Sequence, residues 1–176
     1  YTDILNKRVT DCIQSGNLLC GEQNGFRKYR YRSCLDHLYG LHTAVHNRML
    51  QKKPTFACFV DVKKASDRVN RTCLWYKLQL MGLKGKMYLA IKALYDDVKC
   101  KVRVNNYYTD TFPVSCGVRQ GCNYYTATFP AAVVKAGFNL SPALFSLYIN
   151  DLASDIKAGS KGVQCEDVNL SILLYA

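Results

Sequence analysis

The chain has 176 residues, of which 49% are hydrophobic and 21% are charged, a balance that suits one globular domain and excludes an intrinsically disordered chain. Its 24 lysines and arginines outnumber its 13 acids, which gives a formal net charge of +11. A field of this sign favours a polyanionic partner such as nucleic acid. A merely soluble basic protein, or one with an acidic partner, is the alternative at this point.

The first half of the chain contains signals for three helices and one strand. Apolar residues recur at helical spacing over residues 35–50, which predicts a helix. Residues 55–61 form a short apolar, β-prone run, which predicts a strand buried on both faces. Further helices are predicted over 67–81, with Gly82 as the stop, and over about 86–97.

The second half of the chain predicts a hairpin, a helix and a last strand. Residues 99–114 alternate polar and apolar side chains around an Asn-Asn pair, which predicts the hairpin. Ser141 and Pro142 predict the start of a helix that runs to residue 159, with the serine as its N-cap. A last strand is predicted over 170–175. Because the elements do not alternate strictly as βαβ units, the sequence favours an α+β fold.

Cysteine and histidine patterns argue against a structural metal or a disulfide framework. The nine cysteines are odd in number and no Cys-x-x-Cys occurs, so a reducing compartment is the better fit. His42 and His46 have the spacing of a metal pair, but no third ligand falls at a telling distance, so we expect no zinc site. The chain has neither an apolar run of roughly 18 residues nor a secretory signal, so we expect an intracellular protein without membrane contact.

Asp61 ends the predicted strand over 55–61. A carboxylate at the end of a buried strand is fixed by the sheet and still open to solvent, which suits a ligand of a divalent cation such as Mg²⁺. The alternative is that Asp61 only ends a strand or caps a turn.

Three short sequence segments occur in a fixed order along the chain, and their order carries information about the family. They are Phe59-Val60-Asp61-Val62-Lys63-Lys64-Ala65-Ser66-Asp67-Arg68-Val69, Gly117-Val118-Arg119-Gln120-Gly121 and Leu140-Ser141-Pro142-Ala143-Leu144-Phe145. In this order they resemble the palm of a reverse transcriptase, most closely of the non-LTR (LINE-like) retrotransposon type. The resemblance implies a right-hand polymerase domain over 1–176, with fingers over about 1–54, a partial palm over 55–176, and no thumb.

The resemblance also implies roles for individual residues. Asp61 would be the catalytic aspartate and a metal ligand, and Val62 would lend its backbone carbonyl to the same Mg²⁺ site. Asp67 would hold the turn into the next helix. Gln120 and Gly121 would approach the template and the incoming nucleotide. The basic residues of a fingers-like segment, which would contact the template, are Arg27, Lys28 and Arg32. The implied partners are an RNA template, a DNA primer and deoxynucleoside triphosphates; no protein partner is predicted.

Ser66 departs from the family pattern. The family places there an aromatic side chain that packs beneath the sugar and excludes a 2′-hydroxyl. We predict that the small side chain of Ser66 weakens discrimination against ribonucleotides. Single-nucleotide incorporation by a chain extended with the paired aspartates would test this, and an unchanged preference for deoxynucleotides would contradict it.

Two further departures bear on activity. Residues 124–139 are an insert with one charge, Lys135, which is either a lid or, as we favour, a translation artefact. In the family a pair of aspartates follows the segment that Tyr175 and Ala176 match, so we expect this chain alone to be inactive. Three readings therefore stay open: a fragment of an active enzyme, a non-catalytic nucleic-acid binder, or an inert transposon relic.

Overall fold

The computed structural model describes residues 2–25, 33–105, 107–119, 131–133, 139–159, 162–165 and 168–173. The α-helices are α1 (Thr2–Ser15), α2 (Cys34–Leu50), α3 (Arg71–Leu80), α4 (Gly85–Ala93), α5 (Ser141–Tyr148) and α6 (Asn150–Gly159). The strands are β1 (Lys99–Cys100), β2 (Val102–Val104), β3 (Tyr107–Tyr108), β4 (Phe112–Pro113), β5 (Ala131–Val133), β6 (Val163–Cys165) and β7 (Val168–Leu170). The strand pairs of these residues are all antiparallel, so helices and small sheets are mixed, in agreement with the expected α+β class.

The chain divides into two compact units. The first unit consists of Tyr1–Leu18 and Lys64–Tyr148, and the second of Leu19–Lys63 and Ile149–Ala176. Three helices of the first unit contribute seven of its buried apolar side chains, because each presents apolar residues at helical spacing. Their buried side chains are Leu5, Val9 and Ile13 of α1, Leu74 and Leu78 of α3, and Leu144 and Leu147 of α5. Helix α5 packs against both α1 and α3.

The predicted helix over 67–81 is split into a turn and a shorter helix. Residues Ser66–Arg68 form a short 3-10 helix, and α3 begins only at Arg71. The side chain of Asn70 accepts a hydrogen bond from the Cys73 backbone N–H at 3.1 Å, which makes Asn70 the N-cap. Gly82 adopts a φ of +86° just beyond the helix, which confirms the predicted stop.

The hairpin predicted over 99–114 is confirmed. Strands β2 and β3 pair in the register Arg103 with Tyr108, and Asn105 takes a φ of +53° at the turn between them. Strand β1 pairs with β4 just outside this hairpin. Part of the insert over 124–139 joins the same sheet, because β5 pairs with β2 on its other edge.

The predicted strand over 55–61 is wrong. These residues form no regular structure, and the side chains of Phe56 and Phe59 are 93% and 82% exposed. A strand buried on both faces needs neighbouring strands and apolar layers above and below it. Among the described residues no strand pairs with 55–61, and the buried apolar side chains of the second unit are few, namely Leu19, Ala44 and Ala153.

Polar contacts supply much of the order in the described part of the second unit. Ser33 and Asp36 form a reciprocal capping box at the start of α2. The Asn150 side chain accepts a hydrogen bond from the Cys20 backbone N–H at 2.7 Å. An ion pair joins Glu22 to Lys157, and the Lys157 ammonium lowers the pKa of the Glu22 carboxyl.

The helix predicted from Ser141 to residue 159 is two helices, because the chain turns at Ile149 between α5 and α6. Ser141 is the first residue of α5 rather than a residue ahead of it. The bounds predicted for the last strand, 170–175, are wrong: β7 ends at Leu170, residues 171–173 form no regular structure, and residues 174–176 lie outside the described ones. None of the helices in the described ranges is long and apolar enough to cross a membrane.

Candidate functional site

Two of the motif segments are joined by backbone hydrogen bonds in the first unit. The Gly117 N–H donates to the carbonyl of Val69 at 2.8 Å, and the Val118 N–H donates to the carbonyl of Ser66 at 2.8 Å. These bonds attach the loop that carries Gly117 to the turn that follows the predicted metal-binding segment. We call this junction the motif seam, formed by residues 66–69 and 117–118.

Gly117 is required at the seam for steric reasons. Its φ is +80°, a conformation that residues with a side chain rarely adopt. A Cβ built on Gly117 would lie 2.7 Å from the Asp67 carbonyl oxygen and 2.9 Å from the Asp67 Cα. Both neighbours are backbone atoms, which cannot move aside as a flexible side chain would. The backbone of Asp67 therefore shapes this turn against Gly117.

The third motif segment is attached to the same loop. The Ser141 hydroxyl, at the start of α5, donates a hydrogen bond to the carbonyl of Arg119. Leu140 and Leu144 are fully buried beside it and fix the beginning of the helix. The structure thus brings together, within the first unit, residues 66–69 of the first motif segment and the described parts of the other two, although they are far apart in sequence.

Arg71 is hydrogen-bonded to the loop of the motif seam. The sequence analysis did not predict this role. Its guanidinium donates to three backbone carbonyls: Nε to Gly117 at 2.9 Å, Nη1 to Val114 at 2.7 Å, and Nη2 to Cys116 at 3.0 Å. The planar guanidinium carries five N–H donors in a fixed fork, which lets it serve several separated carbonyls at once. The sequence carries no signal for this role, because the helix was predicted to begin at residue 67 and its true start at Arg71 is seen only in the structure.

An aromatic pair supports Arg71 on its other side. The guanidinium carbon lies 5.1 Å from the centroid of the Tyr95 ring, and Trp75 meets that ring edge-on at 5.4 Å. Burial lowers the pKa of Arg71, which nonetheless stays charged at neutral pH because a guanidinium does not lose its proton in proteins. Burial raises the pKa of the Tyr95 phenol. Hydrogen bonds with Ser141 and the Arg119 backbone lower this pKa, but burial has the larger effect. Tyr95 is therefore neutral at physiological pH.

The remaining predicted site residues are divided between the two units or lie outside the residues that the structure describes. Asp61 and Val62 are exposed and belong to the second unit, in a stretch without regular structure. Ser66 is a half-buried residue of the first unit, and its backbone carbonyl accepts the hydrogen bond from the Val118 N–H in the seam. The other predicted contacts lie outside the described residues, namely Arg27, Lys28, Arg32, Gln120 and Gly121. Their roles stay predictions.

The described residues do not assemble a metal site. The Asp61 carboxylate and the Val62 carbonyl are hard oxygen donors of the kind that Mg²⁺ prefers. Within the described ranges, however, no three His, Cys, Asp or Glu side chains lie close enough together to hold a metal. The adjacent pair Asp96 and Asp97 is exposed in the turn after α4, where Asp97 pairs with Lys99 at 3.0 Å. The donors present are therefore of the right kind but do not form a complete set.

Comparison with known protein families identifies the class. The model of the family described as "Reverse transcriptase (RNA-dependent DNA polymerase)" matches residues 1–176, which is the whole chain. The motif seam and the mixed helices and sheets thus belong to a domain with a polymerase fold. The chain is a member of the reverse transcriptase family, whose enzymes use divalent metal ions, an RNA template, a primer and deoxynucleoside triphosphates.

The substitution Gly117→Ala tests the steric role of the seam. We expect it to lower the free energy of unfolding by about 2–4 kcal/mol, because it adds backbone overlap to the strain of a positive φ. Gly82→Ala is the matched control, since Gly82 has a similar φ with open space around it and should cost only about 1 kcal/mol. Urea unfolding followed by the fluorescence of Trp75, the single tryptophan, measures both. Equal losses would contradict the close approach to Asp67.

The substitution Arg71→Lys tests the guanidinium contacts while it keeps the charge. A lysine cannot reach three carbonyls, so we expect a loss of about 1–2 kcal/mol in the free energy of unfolding. The exposed Arg68 offers a control at the same charge, and Arg68→Lys should change stability by less than about 0.5 kcal/mol. If both variants unfold at the same urea concentration, Arg71 does not hold the seam.

Proposed function

We propose that the chain derives from the reverse transcriptase of a non-LTR retrotransposon and that it binds nucleic acid. Support for the origin comes from the order of the three motif segments and from the seam that joins residues 66–69 of the first to residues 117–118 of the second. In this proposal Asp61 and Val62 belong to the metal-binding segment, and Ser66 lies beneath the sugar of the incoming nucleotide. Gln120 and Gly121 face the template, and Arg27, Lys28 and Arg32 form the fingers contact.

The distribution of charge supports the binding of a template–primer. Residues 68–95, which we call the acid-free stretch, contain six lysines and arginines and no aspartate or glutamate. At the β2–β3 hairpin, the Lys101 ammonium and the Arg103 guanidinium lie 4.3 and 5.8 Å from the centre of the Tyr108 ring, so two cations lie near one aromatic side chain. Cationic surfaces with aromatic rings are typical of proteins that bind single-stranded nucleic acid.

We further propose that the 176-residue chain, tested alone, does not synthesise DNA. Two bound Mg²⁺ ions would supply the activation of the primer hydroxyl and the neutralisation of the triphosphate. The chain offers Asp61 for this site, and the other carboxylates that the structure describes do not gather into a metal-binding group. The proposal rests on that incomplete donor set.

One observation favours the alternative of a relic that folds poorly. In the second unit large apolar side chains are exposed, among them Leu35 and Tyr39 of α2 together with Phe56, Phe59 and Val60. A unit with so few buried apolar groups gains little hydrophobic stabilisation. A broad, non-cooperative unfolding transition of the purified chain would support this alternative.

Binding and catalysis can be separated with the variant Asp61→Ala. We expect the chain to bind a fluorescent RNA–DNA template–primer, and to bind it roughly tenfold more weakly when salt is raised from 50 to 200 mM, because phosphate contacts carry the affinity. Asp61→Ala should leave that affinity unchanged within about twofold, as should the control Asp155→Ala at another exposed acid. Neither the parent chain nor the variants should extend the primer in Mg²⁺.

Two outcomes would contradict the proposal. Template-directed extension by the parent chain that Asp61→Ala abolishes would mean that the chain is an active polymerase. The absence of any salt-dependent binding would remove nucleic acid as its partner.

A further inference from the structure

A cavity opens in the first unit between the end of α3 and the start of α4. Its volume is about 370 Å³, and it is lined by Tyr76, Gln79 and Leu80 of α3 and by Lys84, Gly85 and Tyr88 around the start of α4. None of these residues belongs to the three motif segments. The volume falls in the lower part of the roughly 300–1,000 Å³ range of ligand pockets, which suits one small planar group and its immediate substituents.

The lining combines aromatic, aliphatic and polar groups. Tyr76 and Tyr88 offer two phenol rings from different helices, and Leu80 adds an aliphatic surface. The Gln79 amide can both donate and accept hydrogen bonds, as the edge of a nucleobase requires. The Tyr76 side chain is 64% exposed although it is large and aromatic, so a stacking partner would cover apolar surface that now faces water.

The charge around the cavity favours an anion. Lys84 lines it directly, and both of its helices lie within the acid-free stretch, residues 68–95. Neither α3 nor α4 has an acidic residue in its first turn. Lys84 also occupies the N-cap position of α4 without a side-chain capping bond, so the positive end of the helix dipole reinforces the ammonium charge. A cationic ligand is disfavoured here, and a phosphate is favoured.

We propose that this cavity, lined by Tyr76, Gln79, Lys84 and Tyr88, binds one nucleotide of a single-stranded nucleic acid, away from the motif seam. The base stacks against Tyr76 and Tyr88, the Gln79 amide meets the edge of the base, and Lys84 pairs with the adjacent phosphate. The inference rests on the proposed nucleic-acid binding and adds a defined site to it. Such a site would hold a strand on the protein independently of any metal.

Fluorescence anisotropy with a labelled oligouridylate, in EDTA, tests the stacking. Tyr76→Ala and Tyr88→Ala should each weaken binding by about tenfold, whereas Tyr76→Phe and Tyr88→Phe should retain it because the ring is kept. Tyr39→Ala is the matched control, since Tyr39 is an exposed helical tyrosine of the second unit and should have no effect. Far-UV circular dichroism and urea unfolding of the alanine variants that match the parent exclude a general folding defect as the cause.

Separate measurements test the phosphate contact and distinguish a strand from a free mononucleotide as the ligand. Lys84→Gln should weaken binding more than Lys53→Gln, which removes the same charge from an exposed site in the second unit. An abasic strand should bind the parent chain more weakly and should be insensitive to Tyr76→Ala. If free uridine monophosphate binds as tightly as the strand, with the same dependence on Tyr76, the cavity is a mononucleotide site and the strand proposal is wrong.

Photocrosslinking locates the base directly. An oligonucleotide that carries 4-thiouridine should crosslink to peptides containing Tyr76 or Tyr88. Crosslinks found only elsewhere, with tyrosine variants that bind like the parent, would overturn this inference and leave the broader proposal of salt-dependent binding intact. Failure of the parent chain to bind any strand would instead contradict the broader proposal.

Discussion

The contact between Gly117 and the backbone of Asp67 is the constraint on which the described part of the first unit depends. A glycine with a φ of +80° lets two stretches of backbone approach until no Cβ fits between them. Once they are that close, the amides of Gly117 and Val118 find carbonyl partners in Val69 and Ser66. Two segments that lie about fifty residues apart in sequence thereby become one local structure.

The surrounding residues satisfy the polar groups that this approach brings together. A loop packed against a helix buries backbone carbonyls that need donors. Arg71 supplies three N–H groups to such carbonyls, and Ser141 supplies a hydroxyl to the carbonyl of Arg119. The Tyr95 ring covers the guanidinium. Packing of α5 on α3 then joins the seam to the hydrophobic core, so the motif residues are held by the same interactions that stabilise the fold.

Local signals in the sequence predicted those parts of the fold that local interactions determine. Periodic apolar residues, Gly82 and the Asn-Asn pair correctly predicted α2, the end of α3 and the hairpin. The predicted strand over 55–61 failed because a buried strand is defined by its neighbours, and hydrophobicity alone does not supply them. The single helix predicted from Ser141 to residue 159 failed at Ile149, where no proline or glycine announced the break.

The site was predictable only in part for a similar reason. The motif segments were evident from their order, but the contact that joins them involves backbone atoms of Asp67, which a sequence pattern does not reveal. Arg71 was missed because its partners are carbonyls more than forty residues away.

Amide hydrogen exchange at Gly117 and Val118 tests the motif seam most directly. If the seam is part of the folded core, both amides exchange slowly, at rates comparable to those of the buried Leu74 and Leu78 in α3. Exchange as fast as that of the exposed residues 55–62 would mean that the loop is not held by Val69 and Ser66. In that case the seam would not be what brings the motif segments together.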